Sequence, residues 1–118
     1  VVNIGRVKDG DFDYVRNEIE QLAKLVHSSA EDKALLKVII ETCLLNDEEK
    51  RQLCRIVGEA GADFIKTSTG FSTGGATLND IKLLREHSPA HVQVKASGGI
   101  RDGQFARELI QAGATRLG

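Results

Sequence analysis

Lys66 stands in the stretch "ADFIKTSTGFSTGG", residues 62 to 75, directly after the apolar pair Phe64-Ile65 and before a tract of small hydroxyls and glycines. Most lysines are solvated, because a buried unpaired ammonium is costly, and a strand-end lysine reaching into water is the plainest account of it. The surrounding pattern points further. Gly61, the apolar run and then Thr67, Ser68, Thr69 and Gly70 read as a buried strand opening into a polar loop. In chains of alternating strands and helices, reacting groups lie at the carboxyl ends of strands.

Lys37 in "LLKVIIET" and Lys95 in "VQVKASGG" sit in similar strand patterns. Side chains alternate between the two faces of a strand, so each lysine points away from the apolar neighbours that a covering helix would bury. All three are expected on the interior face or at its rim. If Lys66 and Lys95 converge, each ammonium disfavours protonation of the other, and partial burial acts in the same direction. A neutral amine is what a Schiff-base nucleophile requires. The second lysine, still charged, can move protons or stabilise developing negative charge. The alternative is two ammonium groups solvated independently at a loop rim.

"SGGIRDG" supplies a second element: Gly98 and Gly99 lie between a strand and a helix expected from Asp102, with Arg101 beside them. Backbone N–H groups unshielded by side chains can approach an anion there, and a helix N-terminus adds a favourable dipole. The alternatives are an ordinary turn and a solvated arginine. Glu41, on the same face as Lys37, reads as a proton shuttle or as an ion-pair partner of Lys37. His27, His87 and His91 have no carboxylate or cysteine at ligand spacing, so no metal is assigned. Cys43 follows a strand near the expected pocket, with an inert buried thiol as the default.

The elements that must hold these groups alternate along the whole chain. "VVNI", "LLKVIIET", "DFIKTSTG", "HVQVKASGG" and "TRLG" read as strands beginning near residues 1, 35, 63, 91 and 115. Phe12, Val15, Ile19, Leu22 and Val26 recur at helical spacing after Asp11. The acidic cluster Asp47, Glu48 and Glu49 suits the start of a second helix that stops at Gly61. Thr77 and Asp80 have capping-box spacing for a third helix finished by Pro89, and Asp102 is the expected N-cap of a fourth, with Phe105, Leu109 and Ile110, ending at Gly113. Such spacing is that of βα units on a parallel sheet. Five strands leave two edges unpaired, which implies part of a (β/α)₈ barrel, a pairing of two copies, or a small open sheet.

At 118 residues, with 41% hydrophobic and 28% charged residues, the chain suits one globular domain, 1–118. A net charge of −1 gives no general field for nucleic acid or an anionic membrane, and no apolar run approaches the ~20 residues that span a bilayer. Two cysteines without metal spacing read as free thiols of a reducing cytoplasm.

"KVIIETCLL", "GADFIKTSTGF", "GGAT", "VKASGGIR" and "AGATRLG", in this order, resemble deoxyribose-phosphate aldolase. The resemblance implies an α/β fold, a partial (half) TIM (β/α)₈ barrel of about five parallel strands, strands four to eight, alternating with four helices. It implies a class I aldolase that cleaves 2-deoxy-D-ribose 5-phosphate to acetaldehyde and D-glyceraldehyde 3-phosphate without metal or organic cofactor. Lys66 would be the Schiff-base nucleophile and Lys95 the neighbour that activates it. Thr69, Gly70, Gly98, Gly99 and Arg101 fall where the family shapes its substrate pocket and phosphate site, and Lys37 matches an inward lysine of the fifth strand. The family's aspartate immediately before "VV" and its small-hydroxyl segment beyond the last strand lie outside these residues. The alternative expectation is therefore a folded, self-associating half-barrel with little activity; in either case a homo-oligomer covers the open edges.

Overall fold

The computed structural model describes residues 1–29 and 33–118. Its centre is a parallel sheet of four strands in sequential order: β1 (Lys37–Ile39), β2 (Phe64–Lys66), β3 (Gln93–Ala96) and β4 (Arg116–Leu117). Among the described residues five α-helices accompany them: α1 (Ile4–Lys8), α2 (Phe12–His27), α3 (Asp47–Glu59), α4 (Leu78–His87) and α5 (Gly103–Gln111). A 3-10 turn, Thr42–Leu44, follows β1. None of the described helices is long and apolar enough to cross a membrane.

Helix starts follow local hydrogen-bond chemistry. The Asp11, Thr77 and Asp102 side chains each accept from the backbone N–H three residues on, satisfying donors that a first turn leaves free. Asn46 and Glu49 close a full capping box at α3. The expected first strand, "VVNI", takes another course. Asn3 caps α1 by accepting from Arg6 N–H, so the helix begins where the β-branched run should have continued. Only Val2 keeps a trace of pairing, donating to the Ile39 carbonyl at 2.9 Å.

Each strand sends alternate residues to opposite faces. Val38, Ile40, Ile65, Val94 and Ala96 point to one face and are buried with Leu53, Ile56 and Val57 of α3 and Ile81 and Leu84 of α4. The other face carries Lys37, Ile39, Phe64, Lys66, Gln93, Lys95 and Arg116, as the register shows. Along α2 the buried residues are Val15, Ile19 and Ala23 rather than Leu22. Leu22 is 45% exposed and lines an open groove beside β1 with Val1, Val2 and Leu36.

Two polar locks join elements distant in sequence. His27 meets the Asp63 carboxylate at 2.7 Å, and the same oxygen accepts from Leu36 N–H, so the end of α2 is tied to the entry of β2. That carboxylate comes from 36 positions away, beyond any local ligand spacing. Lys50 of α3 donates to Asp80 of α4 at 2.7 Å, and each residue is only 8% exposed. Burial alone would lower the Lys50 pKa, but the bonds and charges of Asp80 and Asp47 outweigh it and raise the pKa.

Asp80→Ala would leave the buried ammonium with only the longer 3.4 Å contact to exposed Asp47, and we expect a loss of about 1.5–3 kcal/mol in urea denaturation at neutral pH. Because the folded Lys50 pKa is raised, its contribution is full below the ordinary lysine value of 10.5 and fades only as pH climbs through the higher folded value. Equal stability of Asp80→Ala and the parent at pH 7 would contradict this lock.

Candidate active site

The parallel register places Lys66 directly opposite Lys95. Adjacent strands run about 4.8 Å apart, so the two side chains leave the sheet side by side on its helix-free face. Both are half-buried. In the same cross-strand row stand Ile39 and Arg116. The structure thus brings together the two lysines that the sequence singles out.

Lys37 shares that face but not that row. It registers with Phe64, two residues before Lys66, and its Nζ lies 5.5 Å from the centre of the Phe64 ring. Arg116 approaches the same ring, at 5.3 Å, so Phe64 is held between two cations. Lys37 therefore lies one layer below the paired lysines, away from the loops at the strand ends.

Above the lysines the next row is small. Gly118 N–H bonds to the Ala96 carbonyl and Gly98 N–H to the Gly118 carbonyl, which extends the register to set Ser97 beside Gly118. A Cβ at Gly118 would fall 3.0 Å from Lys95 Cε and 3.3 Å from Lys95 Nζ. The glycine thus leaves the lysine its place. Thr67 fastens the two strand ends together, accepting from Ser97 N–H and donating to the Ser97 carbonyl, both at 3.1 Å.

Gly98 and Gly99 adopt φ of 87° and 75°, in the left-handed region that favours glycine. The Gly98 carbonyl accepts from Ala76 N–H at 3.0 Å, and a Cβ at Gly75 would overlap that carbonyl. The "GGAT" segment is thereby packed onto the turn after β3, with α5 starting just beyond it. Arg101 is exposed beside the Asp102 cap. Gly70, φ 92°, turns the loop after β2 with open space around its Cα.

Thr69 is held by a residue whose role the sequence does not reveal. Glu41, 5% exposed, accepts from Thr69 Oγ1 at 2.6 Å and from Thr69 N–H at 3.2 and 3.4 Å. It does not pair with Lys37. Its backbone sits at φ 54°, the one described residue other than glycine in the left-handed region. That conformation costs a side-chain-bearing residue roughly 1–3 kcal/mol.

Cys43 also departs from expectation. It lies in the 3-10 turn, exposed rather than buried, with Sγ 3.5 Å from Ser72 Oγ. The Ser72 hydrogen bond lowers its pKa, overcoming the upward push of partial burial, with help from Thr73 and Gly74. Cys54 is fully buried, and burial raises its pKa.

The DeoC/LacD family aldolase pattern matches residues 1–118. The chain belongs to the DeoC/LacD aldolase family. It is 53% identical, over its whole length, to deoxyribose-phosphate aldolase of Thermococcus gammatolerans, covering 51% of that protein. It is 57% identical to the Clostridium perfringens enzyme of the same name, again covering all of this chain and 51% of the relative. The chain thus spans about half the length of the curated relatives it matches. Among solved structures, the aldolase QR15 superposes with a TM-score of 0.89 at 43% identity over 99% of this chain and 51% of that one. The tetrameric deoxyribose-phosphate aldolase of Aeropyrum pernix gives a TM-score of 0.81 at 37% identity, covering 91% of this chain and 45% of its own. The four-stranded βα sheet is accordingly a portion of an aldolase barrel.

The two thiols should separate in this family member by reactivity. With iodoacetamide at pH 8, peptide mass spectrometry is expected to show Cys43 alkylated at least tenfold faster than Cys54, with Cys54 reacting only on unfolding. Equal rates in the folded protein would contradict the described environments.

Proposed function

We propose that this chain carries the nucleophile half of a class I aldolase that cleaves 2-deoxy-D-ribose 5-phosphate to acetaldehyde and D-glyceraldehyde 3-phosphate. The observation that carries the reading is the in-register pairing of Lys66 with Lys95 on the helix-free face. Lys66 Nζ attacks the aldehyde carbon, and loss of water gives an iminium whose cationic nitrogen accepts the electrons of the C2–C3 bond as it breaks. The C3 hydroxyl gives up its proton as D-glyceraldehyde 3-phosphate leaves. The remaining two-carbon enamine takes a proton at C2, and water then releases acetaldehyde and the free lysine. Lys95, in the same row, is the proposed proton carrier for these steps. The reading needs neither metal nor organic cofactor.

Gly98, Gly99 and the start of α5 are the proposed phosphate cradle, with Arg101 at its edge; Gly98, whose own N–H is bonded to the Gly118 carbonyl, shapes the turn, and the donors come from Gly99 onward. Two left-handed glycines and a helix N-terminus following them support this assignment. Thr69 and Gly70 line the loop between amine and phosphate. Lys37 is proposed to act from one layer deeper, through the charge it adds beneath the pair. Names of relatives at 53% and 57% identity support the substrate.

A homo-oligomer that covers the sheet edges belongs to the same proposal. β4 has no outer neighbour among the described residues, Val1 and Leu22 are exposed beside β1, and the Aeropyrum pernix relative is described as tetrameric. A cytoplasmic setting is proposed from the two free thiols.

Acetaldehyde and borohydride test the nucleophile. Incubation is expected to leave an ethyl group on Lys66, located by peptide mass spectrometry. Lys66→Arg should abolish the adduct, and Lys95→Met should slow its formation by about 10²-fold. Labelling spread evenly over surface lysines would favour the rival reading, a folded and self-associating half-barrel with little activity.

A further inference from the structure

We infer that Glu41 is a positioning residue that fixes the hydrogen-bond polarity of Thr69, so that the site accepts a substrate group able to donate a hydrogen bond and disfavours one that can only accept. The inference rests on the aldolase reading of Lys66 and deepens it. A threonine hydroxyl has one proton and two lone pairs. At Thr69 the proton is committed to Glu41 Oε2, 2.6 Å away, in a short bond to a carboxylate. One lone pair accepts from Phe71 N–H at 3.1 Å. What remains on this half-buried side chain is a single acceptor lone pair, three residues after the nucleophile.

The carboxylate is itself held in place. Thr69 N–H donates to both of its oxygens, the residue is buried, and its left-handed backbone turns the chain out of β1 toward the β2 loop. Strain that persists at one residue marks a surrounding structure that over-determines it. Glutamine at this position would present an N–H where the carboxylate oxygen stands. It would donate to Thr69 Oγ1 and release the hydroxyl proton toward the substrate, reversing the polarity.

The test compares 3-hydroxybutanal, whose hydroxyl can donate, with 3-methoxybutanal, whose ether can only accept, each trapped by borohydride on the 118-residue chain. Label on Lys66 is summed over the intact and cleaved adducts. The parent is expected to favour the hydroxy aldehyde by roughly tenfold, the worth of about one hydrogen bond. Glu41→Gln and Thr69→Val should each reduce that preference to within about twofold, while Thr69→Ser retains it. Glu41→Gly suits a left-handed backbone, keeps the fold and removes the carboxylate, and it should lose the preference too. Variants of Glu41 that label Lys66 with the parent's preference would overturn the inference and leave the aldolase reading standing. A parent chain that acquires no Lys66 label even from acetaldehyde would overturn both.

Discussion

Two ammonium-bearing side chains directly opposite one another on neighbouring strands repel, and sheets ordinarily avoid the arrangement. The parallel register of β2 and β3 imposes it at Lys66 and Lys95. Both strands are anchored from behind by Ile65 and Val94, each fully buried against α3 and α4. A slip of one residue would turn the lysines into that core and the valine and isoleucine into solvent, so burial on one face fixes the pairing on the other. The apolar face thus sustains a charge arrangement that the polar face would not choose.

The loops around the lysines follow from the same geometry. Because the register continues past the strands, Ser97 and Gly118 occupy the row above, and the missing side chain at Gly118 leaves room for Lys95. Hydrogen bonds to Thr67 knit the two strand ends together, the "GGAT" segment seats on the Gly98 carbonyl, and Glu41 holds Thr69. Each contact crosses from one βα unit to the next. The site is therefore a property of the sheet edge as a whole and not of any single loop.

Much of this was readable from residue order. The helices announce themselves through Asp11, Thr77 and Asp102, whose caps are local chemistry, and the lysines through strand alternation. Where the sequence misled, a competing interaction decided. Asn3 capped a helix and overrode the β-branched "VVNI", while Ala23, smaller than Leu22, took the buried place on α2. Glu41 looked like a continuation of the Lys37 face; its left-handed turn has no propensity signal in a glutamate and redirects it to Thr69. Lys50 and Asp80 lie 30 positions apart, and nothing local marks either as the other's partner. Cys43 was placed by the 3-10 turn, which carries it past the strand end into the open.

The central claim is that Lys66 and Lys95 are close enough to act on each other. A double-mutant cycle on folding stability, with Lys66→Met, Lys95→Met and the pair measured by urea denaturation at low ionic strength, reads that interaction without reference to turnover. The account predicts a repulsive coupling of roughly 0.2–1 kcal/mol, weakening as salt is added. Strict additivity of the two replacements at low salt would show two independent lysines, and the paired-amine account would fail with it.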